Sequence, residues 1–233
     1  MAKSDQDKLF AGSEGDQWFL RNQQALEHFD PDTDILLKLM ALYHLRPRKA
    51  LEVGAANGSR LAAIAARHGS KVTAVEPSPE AIRHGKASFP AVEFVMGTAA
   101  SIPLQTSFDL IIVNSVFHWV DRTSLLRSIA EIDRLLEDGG FLLLGDFLPS
   151  NLLKVPYHHV KDRDIYTYKQ SYSAAFLASG LYQLLALLTW DHASRSLAPD
   201  APEDDRFGTW LMRKSLTDLY VERPFTPRPR TAT

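Results

Sequence analysis

The sequence predicts an α/β protein built on a doubly wound, mostly parallel seven-stranded sheet that ends in an antiparallel C-terminal strand. Three observations carry this expectation. Phe108-Asp109-Leu110-Ile111-Ile112-Val113 is almost wholly apolar, as a parallel strand covered on both faces must be. Five such short apolar runs alternate with helical patterns, and that alternation requires right-handed crossovers. Beyond residue 148 the alternation stops, and two final strand-like runs, Leu181–Trp190 and Phe207–Arg213, are close enough in sequence to pair antiparallel.

Taken in order, Phe10–Phe29 sets Trp18, Phe19, Leu20, Leu26 and Phe29 among polar residues at near-helical spacing, an amphipathic, lid-like helix within a helical segment over residues 1–46. Asp30-Pro31-Asp32-Thr33-Asp34 is an N-cap signature for a second helix with Ile35, Leu36, Leu39, Met40, Tyr43 and Leu45 on its apolar face, broken at Arg46-Pro47-Arg48. Residues 47–222 then form the α/β domain. Its first strand begins at Lys49 and turns through small residues into a helix by Ala62–Arg67; the second runs from Lys71 to Glu76. Pro77-Ser78-Pro79-Glu80 starts another helix, with Ser78 as its cap and proline tolerated in the first turn. Val92–Met96 is the third strand, followed by the turn Gly97-Thr98-Ala99-Ala100, and the fourth stops at Asn114-Ser115. Thr123–Glu137 is an amphipathic helix that Asp138-Gly139-Gly140 is expected to end, glycine being suited to a left-handed C-terminal turn; Phe141–Phe147 is the fifth strand. A substrate-loop insertion is expected at about residues 148–170, loop-like from Pro149 to Ile165, then a helix from about Ser171 to Ala178. Ser194–Arg206 reads as a mobile surface loop and residues 223–233 as a disordered tail.

The stretch with the most chemical content is Glu52-Val53-Gly54-Ala55-Ala56-Asn57-Gly58. Gly54 and Gly58 can take backbone angles closed to other residues, and the short side chains between them let a ligand lie on the backbone. Glu76, at the end of the next strand and about 20 residues on, is placed to accept hydrogen bonds from both hydroxyls of a ribose. Dinucleotide binding needs a third glycine, G-x-G-x-x-G; Ala56 stands in the middle position, so an NAD-linked oxidoreductase is the weaker alternative. Another alternative is a catalytically silent domain that keeps the fold as a binding or regulatory partner.

The E-x-G-x-x-x-G spacing, with one acid before the first glycine and another ending the next strand, resembles the class I, Rossmann-like S-adenosylmethionine-dependent methyltransferases over roughly Ala50 to Phe147. The resemblance implies S-adenosyl-L-methionine as cofactor, S-adenosyl-L-homocysteine as product, and in-line methyl transfer to O, N or C of a small molecule: a sugar, a surface-polysaccharide precursor, a secondary metabolite or a small acid. It implies cofactor contacts from Glu52, Gly54, Ala55, Ala56, Asn57 and Gly58, from Glu76, Pro77 and Ser78, from Thr98 and Ala99, and from Asn114, Ser115 and Phe117. The lid would add Trp18, and Arg21 facing the methionine carboxylate. Where the family commonly has an acid that reads the adenine amino group, this chain offers only the hydroxyl of Thr98.

Candidate catalytic groups cluster after the fourth and fifth strands. His118 can act as a general base, as histidine side chains do, although a histidine beside an aromatic is more often structural. Asp146, His158 and His159 are further candidates, with Trp119, Tyr157 and Tyr168 as substrate-binding groups; Tyr166, Lys169 and Tyr172 lie close by in sequence, and Arg206–Trp210 is expected to help shape the pocket. Adjacent histidines on an extended chain point apart, so a metal site joining one of them to Asp146 or Asp162 ranks below a metal-free substrate loop, and no metal is expected.

Composition bounds the rest. The chain has 233 residues, 45% hydrophobic and 23% charged, enough for one domain with a buried core. A net charge of −2 leaves no electrostatic footprint for a phosphate backbone, so nucleic acid is not an expected partner. Without cysteine there is no disulfide, thiolate nucleophile or Cys-based zinc site. Met1–Asp7 lacks an apolar signal core and no run has membrane-spanning length, which gives the expectation of a cytoplasmic protein without a membrane partner, as a monomer or homodimer.

Overall fold

The computed structural model describes residues 6–161 and 163–225; the 226–233 part of the predicted tail, and Asp162, lie outside the described residues. The chain starts with α1 (Gln6–Leu9), a π-helical turn (Phe10–Glu14) and α2 (Gly15–Glu27). These run on as one rod, since Leu9 and Glu14 at the junctions keep right-handed helical angles. α3 (Ile35–Leu42) is capped as its sequence requires, the Asp34 carboxylate accepting from the Leu37 N–H at 2.9 Å.

The domain proper follows as β1 (Lys49–Val53), α4 (Ser59–His68), β2 (Lys71–Glu76), α5 (Pro79–Ser88), β3 (Val92–Met96), β4 (Phe108–Asn114), a 3-10 turn (Phe117–Trp119), α6 (Leu125–Leu135) and β5 (Leu136–Phe147). After it come β6 (Leu153–Pro156), β7 (Tyr166–Lys169), α7 (Ser173–Ala178), β8 (Tyr182–Asp191), β9 (Ser196–Leu197) and β10 (Arg206–Lys214). The main sheet has the order β3-β2-β1-β4-β5-β10-β8-β9, parallel from β3 to β5, with β10 antiparallel to both of its neighbours. This is the doubly wound sheet that the sequence predicts, widened to eight strands by the two-residue β9 inside the stretch read as a loop. Strand order reverses between β1 and β4, and in such sheets the crevice beyond the strand C-termini at that reversal is where ligands bind.

Successive residues of each central strand feed opposite faces. On β4, Ile111 and Val113 pack with Leu142, Leu144, Phe117, Tyr172 and Trp210, whereas Leu110 and Ile112 pack with Leu143 and Leu211 against α3 and α4. Both faces are therefore covered, as the unbroken apolar runs require.

Three local expectations are corrected. α6 ends at Leu135, and Leu136, which was to lie in its last turn, is already extended and paired with Phe108 in β5. Asp138-Gly139-Gly140 does not stop a helix; it forms an irregularity within β5, where the register shifts opposite Phe108 and Leu110 and Gly139 takes φ of 78°. Leu135 and Leu136 are both buried, so it is the pairing of Leu136 with Phe108 that starts the strand. The stretch read as a loop from Pro149 to Ile165 includes β6, which pairs antiparallel with β7 from Leu153 opposite Lys169 to Pro156 opposite Tyr166.

This hairpin and the N-terminal rod meet above the sheet edge. The Gln6 side-chain amide donates to the carbonyls of Trp119 (2.7 Å) and Tyr166 (2.8 Å) and accepts from the Tyr166 N–H (3.1 Å). Asp7 accepts from the Asp121 N–H at 2.8 Å and from the Ser124 hydroxyl. On the other side, Asp16 accepts from the Ser78 hydroxyl at 2.5 Å, fixing α2 to the start of α5.

Candidate functional site

Between this roof and the C-terminal ends of the strands lies a cleft of about 800 Å³. Its floor is the turn after β1. Gly54 and Gly58 adopt φ of 72° and 75°, and Ala56 is also left-handed at 49°. The Glu76 carboxylate ties the turn down, accepting from the Ala56 N–H at 2.8 Å and from the Ser78 N–H at 3.0 Å. Burial pushes the Glu76 carboxyl up to about 7, against the pull of those two N–H groups.

Glu52, next to last in β1, lies beside Arg60, in the first turn of α4. Arg60 pairs with Glu52 and holds Asp34 through its Nε (3.1 Å) and an Nη (3.0 Å). Burial lifts the Glu52 carboxyl to about 7 despite the neighbouring guanidinium. Its Oε2 is buried with no partner, and so is Oδ1 of Asn114 at the end of β4. Gly145 on β5 makes room for that amide: a Cβ there would sit 2.1 Å from Asn114 Oδ1.

The 3-10 turn after β4 carries His118, which is buried with its Nδ1–H donating to Asp146 at 2.8 Å. Asp146 lies wholly inside the protein and also accepts from the N–H groups of Phe147 (2.8 Å) and His118 (3.3 Å). With Nδ1 fixed as donor, Nε2 is the basic nitrogen, and the residue lines the cleft. Sequence reasoning named both members and gave no sign that they form a pair; β4 and β5 being hydrogen-bonded neighbours places them together.

The roof is aromatic. Trp119 stacks on Phe10 (centroids 5.3 Å apart, 22° between planes) and meets Trp18 and Tyr157 edge-on at 6.0 and 5.7 Å. The Tyr157 hydroxyl donates to Glu14 at 2.8 Å and accepts from Arg21 at 3.0 Å, and Arg21 in turn pairs with Glu14. Burial and the Glu14 carboxylate raise the Tyr157 phenol above its ordinary value.

Of the residues singled out from sequence, Glu52, Gly54, Ala55, Ala56, Glu76 and Pro77 line the cleft floor, and Thr98, Ala99, Asn114 and Ser115 line its wall. His118, Trp119, Trp18, Tyr157, His158 and His159 line it from above and beyond. Asn57, Gly58 and Ser78 sit behind the turn, where Asn57 accepts from the Ser59 N–H and Ser78 caps α5 through the Ala81 N–H. Phe117 is a core residue packed on Tyr172 and Phe176, and Tyr168 lies under the Arg122 guanidinium. Arg21 is turned to Glu14 and Tyr157, outside the cleft lining. Arg60, Phe10 and His192 line the cleft without having been anticipated. For Arg60 a signal existed, since a buried acid at a strand end demands a cation and Arg60 is the first one after the turn. Among the described residues no group of three or more His, Cys, Asp or Glu side chains could hold a metal ion, and no helix is long and apolar enough to cross a membrane.

Comparison with known proteins agrees with this geometry. Residues 51–144 match the family described as a methyltransferase domain. An uncharacterised methyltransferase of Mycobacterium bovis is 38% identical over 96 residues, which is 41% of this chain and 38% of that protein, so the match spans well under half of the relative's length. Among solved structures, the Burkholderia thailandensis 1,6-didemethyltoxoflavin-N1-methyltransferase superposes with a TM-score of 0.67 at 16% identity, covering 87% of this chain and 86% of that one. A Clostridium acetobutylicum S-adenosylmethionine-dependent methyltransferase gives 0.60 at 14% identity, covering 87% and 99%. These structural likenesses establish the Rossmann-like fold, and the family match marks residues 51–144 as a methyltransferase domain.

Proposed function

We propose that this chain methylates a small molecule with S-adenosylmethionine as donor, His118 serving as the proton acceptor. The observation that carries the reading is the row of acceptors along the sheet edge. Glu76 ends β2, Asn114 ends β4 and Glu52 is next to last in β1; among the described residues the latter two each hold a buried oxygen without a donor. A buried unpaired acceptor costs about 1–3 kcal/mol, so a ligand that brings donors gains that much at each. An adenosyl amino acid brings them: a ribose diol for Glu76, and an ammonium for Glu52 and Asn114. When bound, that cofactor supplies a methyl group on a sulfonium, an electrophile that needs no further activation. The bound 1,6-didemethyltoxoflavin and S-adenosylhomocysteine of the Burkholderia enzyme support both the donor and an acceptor of small-molecule size.

The remaining chemistry belongs to this chain. Phe10, Trp18, Trp119 and Tyr157 line the cleft from above with aromatic surface. Asp146 keeps Nδ1 of His118 protonated and the ring in one orientation, so Nε2 takes the proton that an acceptor O–H or N–H group must lose. The test is incubation of the full chain with methyl-labelled S-adenosylmethionine and a panel of hydroxylated, acidic and amine metabolites. Label should enter at least one acceptor, and His118→Asn should lower kcat by about 10²–10³ with little change in cofactor affinity. Transfer that survives His118→Asn at full rate would contradict the role given to His118.

A further inference from the structure

The cleft is polarised along its length. Of its acidic lining, Glu52 late in β1, Glu76 at the end of β2 and Asp34 at the cap of α3 lie at one side, while Asp7 lies by the segment before α6. The opposite wall, where β7 ends and β8 runs towards β9, contributes Lys169, His192 and Arg195 and no carboxylate to the lining. Among the described residues neither Lys169 nor Arg195 forms an ion pair. The Lys169 ammonium meets only the Asp204 carbonyl and the face of Phe147, 4.2 Å from the ring centroid. His192 lies over the same ring at 5.2 Å and stacks on Phe207 at 5.4 Å. Desolvation inside the cleft, then His118, Arg195 and Lys169, hold its imidazole below its ordinary value, with Asp205 opposing. The chain as a whole carries a net charge of −2, so these cations do not reflect a generally basic surface. Cations without an ion-pair partner in a cleft attract a ligand of opposite charge.

Phe147 sets the spacing. The His118 ring meets it in a T-shaped contact with centroids 5.1 Å apart, and the Lys169 ammonium sits over its face, so both residues touch the same aromatic ring. We infer that this wall is an anion subsite, and that the methyl acceptor carries a carboxylate or phosphate monoester, held by Lys169 and Arg195, about one ring away from the atom His118 deprotonates. The part played by His118 rests on the methyltransferase reading; the subsite does not.

The probes are benzoate, its uncharged isostere benzamide, and phenyl phosphate, titrated calorimetrically into the full chain with and without saturating S-adenosylhomocysteine. Benzoate or phenyl phosphate should bind at least about tenfold tighter than benzamide, and the tighter of the two tells which anion the wall fits. That advantage should shrink in Lys169→Met and in Arg195→Gln; the latter lies on an exposed turn, which keeps the test independent of packing around Lys169. Anions that bind no tighter than benzamide, immeasurable binding of all three included, overturn the subsite, and so does an advantage unchanged in both variants. If S-adenosylhomocysteine gives no heat while benzoate is preferred, the methyltransferase reading falls and the subsite stands.

Discussion

Glu76 is a buried carboxyl with no cation against it among the described residues, where its two partners are backbone N–H groups. Burial raises its pKa in the folded chain from 4.5 to about 7. Between those values the folded protein holds a proton that the unfolded chain has lost, so this contribution to stability is fully present below pH 4.5 and disappears as pH rises through 7. On the order of 3 kcal/mol is at stake. The ligand-free protein should therefore show a falling Tm from pH 5 to 7.5, with a smaller fall in Glu76→Gln, followed by scanning calorimetry. Ribose hydroxyls donate best to the ionised carboxyl, so S-adenosylhomocysteine should bind more tightly at pH 8 than at pH 6 and release a proton at the lower pH, read in buffers of different ionisation heat. A second prediction concerns Asp146. Asp146→Asn keeps the shape but cannot hold the same His118 tautomer, and should cost about 10² or more in kcat while cofactor binding persists. In the sequence these roles were unequally visible. Glu76 stood out by its distance from the glycine turn, whereas His118 and Asp146 are 28 residues apart and only the β4–β5 pairing joins them.

Elements set where these residues stand. Gly145 packs against Asn114 so closely that any Cβ would displace the amide. Gly145→Ala should weaken S-adenosylhomocysteine binding by about tenfold, measured by calorimetry, while the sheet stays folded by circular dichroism. The lid is held by polar contacts more than by a broad apolar face, since α2 buries only Gly15 and Phe19. Tyr157→Phe removes the hydroxyl that both Glu14 and Arg21 address, leaves the buried Glu14 short of a donor, and should raise amide exchange across residues 10–27 and speed cofactor release. Helices with capping residues were readable in advance because Asp34 and Ser78 satisfy backbone donors that every helix leaves open. The β6–β7 hairpin was not. Its strands have four residues each, face a single partner, and include Pro156, so no buried period of two marks them. Gly139 did announce a left-handed residue, but the sequence did not say whether a helix end or a strand irregularity would use it.

At the scale of the molecule, the sheet order brings residues from across the chain to one edge. Glu52, Glu76, Asn114 and the His118–Asp146 pair converge because parallel strands all end on the same side, a consequence that alternating apolar runs already implied. The N-terminal rod, the hairpin and the β8–β9 turn then supply a roof and a cationic wall whose placement depends on tertiary packing alone. The central claim is that this edge binds an adenosyl amino acid through Glu76. Calorimetric titration of S-adenosylhomocysteine into the wild-type chain and Glu76→Gln tests it most directly. The account predicts one-site binding in the micromolar range, weakened about 100-fold in the variant; no binding to the wild type, or equal affinity in the two proteins, would contradict it.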